Sequence, residues 1–195
     1  MGRLLRPALS LLLLFTVLLG LAYPAAITAL AQLVFPQKGN GSVIIVDHEQ
    51  VGSVLIGQTF KRPEFFWGRP SATAPRPYDA SASAASNLGP SNPSLREAIR
   101  ARVTMLRAAD PGNTQPIPVD LVTTSSSGLD PHISPAAAYY QVPRVARLRG
   151  LPESLVRQVV EEHIYGRLPG LFGQPRVNVL LLNLALKRME KGGKK

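Results

Sequence analysis

PALSLLLLFTVLLGLAYPAAITALAQLVFPQ, residues 7–37, carries no charged side chain, and the rest of the chain is organised around it. A bilayer core is roughly 30 Å thick, so about 20 apolar residues in a helix suffice to cross it. The run is longer than that, and its first half is nearly pure leucine. Inside lipid each backbone N–H and C=O must find its partner within the segment, so the span must be helical. Pro24 withholds one donor and predicts a kink. Gly20, Ala25, Ala26, Ala29 and Ala31 are small enough to let another helix approach closely.

The same region has a second reading. Arg3 and Arg6, the apolar residues 9–19 and the small-x-small Ala29-Leu30-Ala31 also describe a cleaved secretory signal. Apolar character continuing through Leu33, Val34 and Phe35, past that cut, favours retention. Both readings orient the chain alike. Arg3 and Arg6 precede the span and only Lys38 follows it closely, which keeps the N-terminus cytoplasmic. The expected organisation is a cytoplasmic N-terminus and transmembrane helix over 1–37. One extracytoplasmic α+β domain, with a small sheet and several helices, follows over 38–195.

The 158 residues after the span, within a chain of 195, suffice for one domain with a workable core. There is no cysteine, so that domain folds without disulfides, as suits a bacterial periplasm. Net charge is +10, two units of which belong to Arg3 and Arg6. Nucleic acid is the common partner for such a balance, but the expected location excludes it. Anionic headgroups or an acidic partner surface remain, as does a plain solvated tail formed by Lys187, Arg188, Lys191, Lys194 and Lys195.

Beyond the span, residues 42–46 and 51–56 read as two strands of a hairpin around the turn Asp47-His48-Glu49-Gln50, with His48 a solvated turn residue. Residues 61–93 show little periodicity and much Pro, Ser and Ala. Phe65, Phe66 and Trp67 mark this stretch as an ordered loop, packed on the sheet or on a neighbouring protein. Asn92-Pro93 opens a helix whose apolar face is Leu95, Ile99, Val103 and Leu106, with Arg96, Arg100 and Arg107 elsewhere. Asp110-Pro111-Gly112 closes it. Residues 116–123 are an edge-strand candidate. Ser134-Pro135 starts a helix that Pro143 ends or kinks. Further helices are expected over 153–164 and 177–189, the latter with a short strand possible at its start.

Signals for chemistry are sparse. No glycine-rich phosphate loop occurs, and His48, His132 and His163 are scattered, so a zinc site has no ligand set. Glu161 and Glu162 are adjacent on a helix and point to different faces. Ser127, Asp130 and His132 form the one constellation with hydrolytic composition, although no Gly-x-Ser-x-Gly elbow is present. A serine-stabilised turn capping the next helix accounts for the same residues. Neither catalytic, cofactor-binding nor metal residues are assigned.

Several stretches carry a resemblance. They are Arg6-Pro7-Ala8, GSVLIGQTF (52–60), FWGRPSA (66–72), SNLGPSNP (86–93), DLVT (120–123) running through GLDPHISP (128–135), Arg144-Val145-Ala146 and NVLLLNLAL (178–186). In this order they resemble the C subunit of the bacterial potassium-transporting Kdp complex, a P-type ATPase assembly, over essentially the whole chain. The resemblance implies an uncleaved N-terminal helix and a single-pass inner-membrane protein. It implies a non-catalytic accessory subunit beside a channel-like potassium-binding subunit, a P-type ATP-hydrolysing subunit and a small single-helix subunit.

In such a complex ATP and potassium are handled by the partner subunits. The family is described as a catalytic chaperone that raises the ATP affinity of the hydrolysing subunit, hence an ATP-binding label. The charge bias places residues beyond Lys38 away from cytosolic ATP, so coupling is expected through the complex. The family's Ser-Gly-Gly-Ser is here Ser83-Ala84-Ala85-Ser86, which removes easy positive-φ conformers. The readings from other classes are an anchored periplasmic hydrolase using Ser127, and an anchored binding module for an acidic partner.

Overall fold

In the computed structural model, which describes residues 2–167 and 172–192, the apolar run is helical throughout. It comprises α1 (Gly2–Val17), a π-helical turn at Leu18–Ala22, and α2 (Tyr23–Val34). From Arg3 to Val34 the helix is long and apolar enough to cross a membrane, and none of its most apolar stretch is buried within the chain. The wide turn falls where Pro24 withholds its N–H from Gly20, and the Tyr23 N–H bonds Leu18 O five residues back. One extra residue in the turn absorbs the missing donor.

The chain divides into two compact units, Met1–Ser53 and Val54–Lys195. In the first, the short α3 (Pro36–Gly39) follows the long helix. Asn40 closes it, its amide donating to Pro36 O at 2.8 Å and accepting from Gln32 at 3.2 Å. The hairpin is β1 (Val43–Val46) with β2 (Glu49–Ser53), antiparallel. Its turn is shorter than the sequence suggests: Asp47 and His48 alone make it, at φ 53° and 67°. Two left-handed residues match the twist of the flanking strands, so pairing begins at Glu49 and the second strand ends at Ser53. His48 is exposed at that turn.

The second unit opens with an irregular stretch over 54–92 and then α4 (Pro93–Ala109). Asn92 caps α4 by accepting from Ser94 N–H at 2.9 Å, and Asp110 ends it. Residues 116–123 do not form a strand; Val119–Leu121 is a 3₁₀ turn. Pro116 and Pro118 deny the ladder donors a strand needs, and Asp120 instead binds the Ser134 N–H at 2.7 Å.

Then come β3 (His132–Ile133), α5 (Pro135–Arg149), α6 (Glu153–Glu162), β4 (Ile164–Tyr165), β5 (Arg176–Asn178) and α7 (Val179–Gly192). Their sheet is antiparallel in the order β3-β5-β4, separate from the hairpin. Ile164, expected as the end of a helix, pairs with β5 instead, together with Tyr165. α5 runs through Pro143 to a left-handed Gly150 at φ 66°. One lost backbone bond is outweighed because Val142, Val145 and Ala146 on that stretch are all buried.

The core of this unit joins α5, α6 and α7 to the small sheet through Ile133, Val145, Val156, Val160, Val177, Leu182 and Leu186. Phe66 and Trp67, from the irregular stretch, are part of it. Lys187 and Arg188 are exposed at the end of α7, while Lys194 and Lys195 of the expected basic tail lie outside the described residues.

Candidate functional site

A segment without regular structure can enter a core only if its peptide groups are otherwise paired. In residues 62–69 eight consecutive carbonyls are all paired with side chains. Trp67 Nε1 donates to Arg62 O at 3.0 Å, Arg144 to the carbonyls of Pro63 and Phe65, and Arg149 to Glu64 O at 2.7 Å. Asn183 takes Phe66 as a strand would, accepting from its N–H at 2.9 Å and donating to its C=O at 3.0 Å. Gln141 holds Trp67 likewise, at 2.8 and 3.1 Å. Arg102 donates to Gly68 O at 2.9 Å, and the Tyr78 hydroxyl to Arg69 O.

The Arg144 guanidinium also stacks on the Trp67 ring at 4.3 Å and donates to Gln141 Oε1 at 2.7 Å. Burial pulls its pKa down to about 10, against the favourable charge of Asp110.

This clamped segment ends in Arg69, which organises the stretch 123–134. Its guanidinium donates to Thr124 O at 2.9 Å and Thr123 O at 3.4 Å, and meets Asp130 Oδ2 at 3.4 Å. The other Asp130 oxygen accepts from the His132 N–H at 3.0 Å and lies 3.2 Å from His132 Nδ1. Burial raises the Asp130 pKa, but the hydrogen bonds from His132 and the charges of His132 and Arg69 outweigh it and leave the carboxyl below its ordinary value.

Gly128 adopts φ 68°, where an added Cβ would meet Ala84 O at 2.7 Å. Its carbonyl accepts from Ser71 Oγ at 2.7 Å. Gly57 donates to Leu129 O at 2.8 Å, and a Cβ there would strike Tyr78 at 2.3 Å. Two open clefts share Arg69 and Asp130. One, of about 570 Å³, is lined by Ser125, Ser126, Ser127 and Leu55; the other, of about 590 Å³, by His132, Val119 and Arg176.

Ser127 and His132 share this loop but no hydrogen bond joins them among the described residues. Ser127 Oγ accepts from the Leu129 N–H at 3.1 Å, and its carbonyl accepts from Ala84 N–H and Ser83 Oγ, both at 3.0 Å. The arrangement is a serine-stabilised turn, and Ser134 caps α5 by accepting from Ala137 N–H at 3.1 Å. His163 Nδ1 lies 2.8 Å from Val159 O at the end of α6, and Glu161 and Glu162 are both exposed there. No group of three His, Cys, Asp or Glu able to hold a metal ion occurs among the described residues.

Residues 83–86 do not make a phosphate cradle. Ser83 is turned to Ser127 O, Ser86 lies 3.4 Å from Thr124 Oγ1, and the nearby Arg69 faces two carbonyls and a carboxylate. The hydroxyls of Ser83 and Ser86 are both engaged within the chain. Phe66 and Trp67 are core of this chain and unavailable as anchors on a neighbouring protein. Helical periodicity did not mark Gln141, Arg144, Arg102 or Asn183, because it sees only which face they share. A polar residue inside an otherwise apolar helical face, such as Asn183 among leucines, is the one signal that points to them.

Comparison with known proteins matches residues 5–188 to the KdpC family model, described as the K+-transporting ATPase, c chain. Similar curated proteins bear the name potassium-transporting ATPase KdpC subunit. One from Sorangium cellulosum (strain So ce56) is 63% identical over 182 residues, 93% of this chain and 96% of that protein. One from Variovorax paradoxus (strain S110) is 59% identical, covering 95% and 96% of the two chains. One from Dechloromonas aromatica (strain RCB) is 55% identical, covering 98% and 100%.

Proposed function

Because this chain belongs to the KdpC family and is an accessory subunit of a potassium-transporting ATPase complex, we propose that it acts without catalysing the reaction itself. In this reading it steadies the assembly and raises the ATP affinity of the ATP-hydrolysing subunit. The apolar helix from Arg3 to Val34 carries the proposal. It supports a single crossing of the inner membrane, N-terminus inside by the placement of Arg3 and Arg6, with residues 38–195 outside. The helix then packs on the channel-like potassium-binding subunit, its small residues Gly20, Ala25 and Ala29 permitting close approach. The P-type subunit and the small single-helix subunit complete the complex.

With its domain outside, the chain reaches ATP only through its partners. The engagement of the Ser83 and Ser86 hydroxyls within the chain supports that indirect route. The external surface offered to the channel-like subunit is the face around Arg69 and Asp130, where exposed Leu55 and Val119 flank the two clefts. Purification through a C-terminal tag in mild detergent tests the reading. The expected result is copurification of a P-type ATPase and a large polytopic subunit, with potassium-stimulated ATP hydrolysis. A complex lacking this chain should show a higher KM for ATP. Recovery of the chain alone and without activity would overturn the proposal.

A further inference from the structure

On the side of the second unit formed by α4 and the stretch 122–124 lies a pocket of about 310 Å³, within the range of small-molecule sites of about 300–1,000 Å³. Its walls are mainly aliphatic, with Leu88, Leu95, Ala98 and Met105 among them. One charged group lines it, Arg102. That guanidinium is half-buried, and burial draws its pKa below the ordinary value. Nε is spent on Leu121 O at 2.9 Å and Nη2 on Gly68 O at 2.9 Å. Nη1 meets only the thioether of Met105, at 3.7 Å, a weak acceptor.

Among the described residues no carboxylate lies within ion-pair distance of Arg102. A second guanidinium, Arg144, sits over the same Trp67 ring, at 4.3 Å against 5.7 Å for Arg102, and repels it. Thr124 and Ser86, on the pocket rim, share only a long 3.4 Å contact and have hydroxyl capacity to spare. An apolar cavity beside a half-buried cation that has no carboxylate partner among the described residues is complementary to an anion on a compact apolar body.

We propose that this pocket binds a small aliphatic monocarboxylate. The carboxylate is held by Arg102 Nη1 with the Thr124 and Ser86 hydroxyls, and the aliphatic body lies between Leu88 and Met105. The proposal stands independently of the transport reading, because it is tested on the purified chain without the complex.

Trp67 is the one tryptophan of the chain and its ring centroid lies 5.7 Å from the Arg102 guanidinium, so its fluorescence reports on the site through Arg102. The full chain, in discs of phosphatidylcholine, is titrated with 4-methylpentanoate and, in parallel, with 4-methylpentanamide. A saturable change with the acid, and none with the amide at the same concentrations, is expected. Arg102→Lys, which keeps charge but loses the planar fork, should weaken binding about tenfold. Because Arg102 also holds two carbonyls, a second variant leaves it in place. Ala98→Leu, at an exposed position of α4, fills the cavity and should abolish the response with the thermal midpoint unchanged. An equal response to acid and amide, an undiminished response in Ala98→Leu, or no saturable change in the native chain would each overturn the proposal.

Discussion

Gln141 and Asn183 each hold one residue of the aromatic segment by its own N–H and C=O, replacing a neighbouring strand with a single side chain. Both are buried, so removing either amide strands two peptide groups away from water. Gln141→Leu should cost about 2–4 kcal/mol, because Trp67 loses both partners and Arg144 loses one. Thermal melting followed by circular dichroism, with Trp67 fluorescence, measures it. Asp130 carries a pH signature. Against burial, the hydrogen bonds from His132 and the charges of His132 and Arg69 hold its carboxyl below the usual carboxylate range in the folded chain, so the unfolded chain binds that proton more readily. The stabilisation it supplies is full above about pH 5 and is lost as the pH falls through about 4 and below. Asp130→Asn should flatten the stability profile across that window, as urea titrations at pH 3 to 7 would reveal.

At the level of elements, caps and close approaches decide where structure stops and what it touches. Asn92 is the sole side-chain cap at the start of α4, and Asn92→Ala should lower stability by about 1 kcal/mol. Gly57 is more demanding. A methyl group there would meet both the Tyr78 ring and Asp130 O, at 2.3 and 2.8 Å. Gly57→Ala should therefore cost about 1–3 kcal/mol and disturb the turn that sets Asp130 against Arg69; the same melting experiment checks it. The two starts with Asn-Pro and Ser-Pro were legible because capping is local chemistry. The strand expected over 116–123 was not, because Asp120 is committed to Ser134, fourteen residues away.

For the whole molecule, the division at Ser53 and Val54 makes a prediction about independence. Removing residues 2–53 should leave a unit that folds with an unchanged thermal midpoint but no longer sediments with membranes, since the apolar helix is gone. Loss of cooperative melting in the truncated chain would show that the second unit depends on the first.

The membrane-length helix, the mixed α+β character, the hairpin, the caps of α4 and α5 and the kinship with the Kdp complex could all be read from the chain alone. Each rests on neighbours within a few residues, on composition, or on an ordered set of motifs. Only the tertiary structure decided that Phe66 and Trp67 are core, that residues 164–165 form a strand, that Pro143 does not end α5, and that Arg69 governs the loop at 123–134. Those outcomes depend on partners up to 117 residues apart, as between Phe66 and Asn183. A buried amide and an exposed one look identical in sequence, and only the packed core distinguishes them.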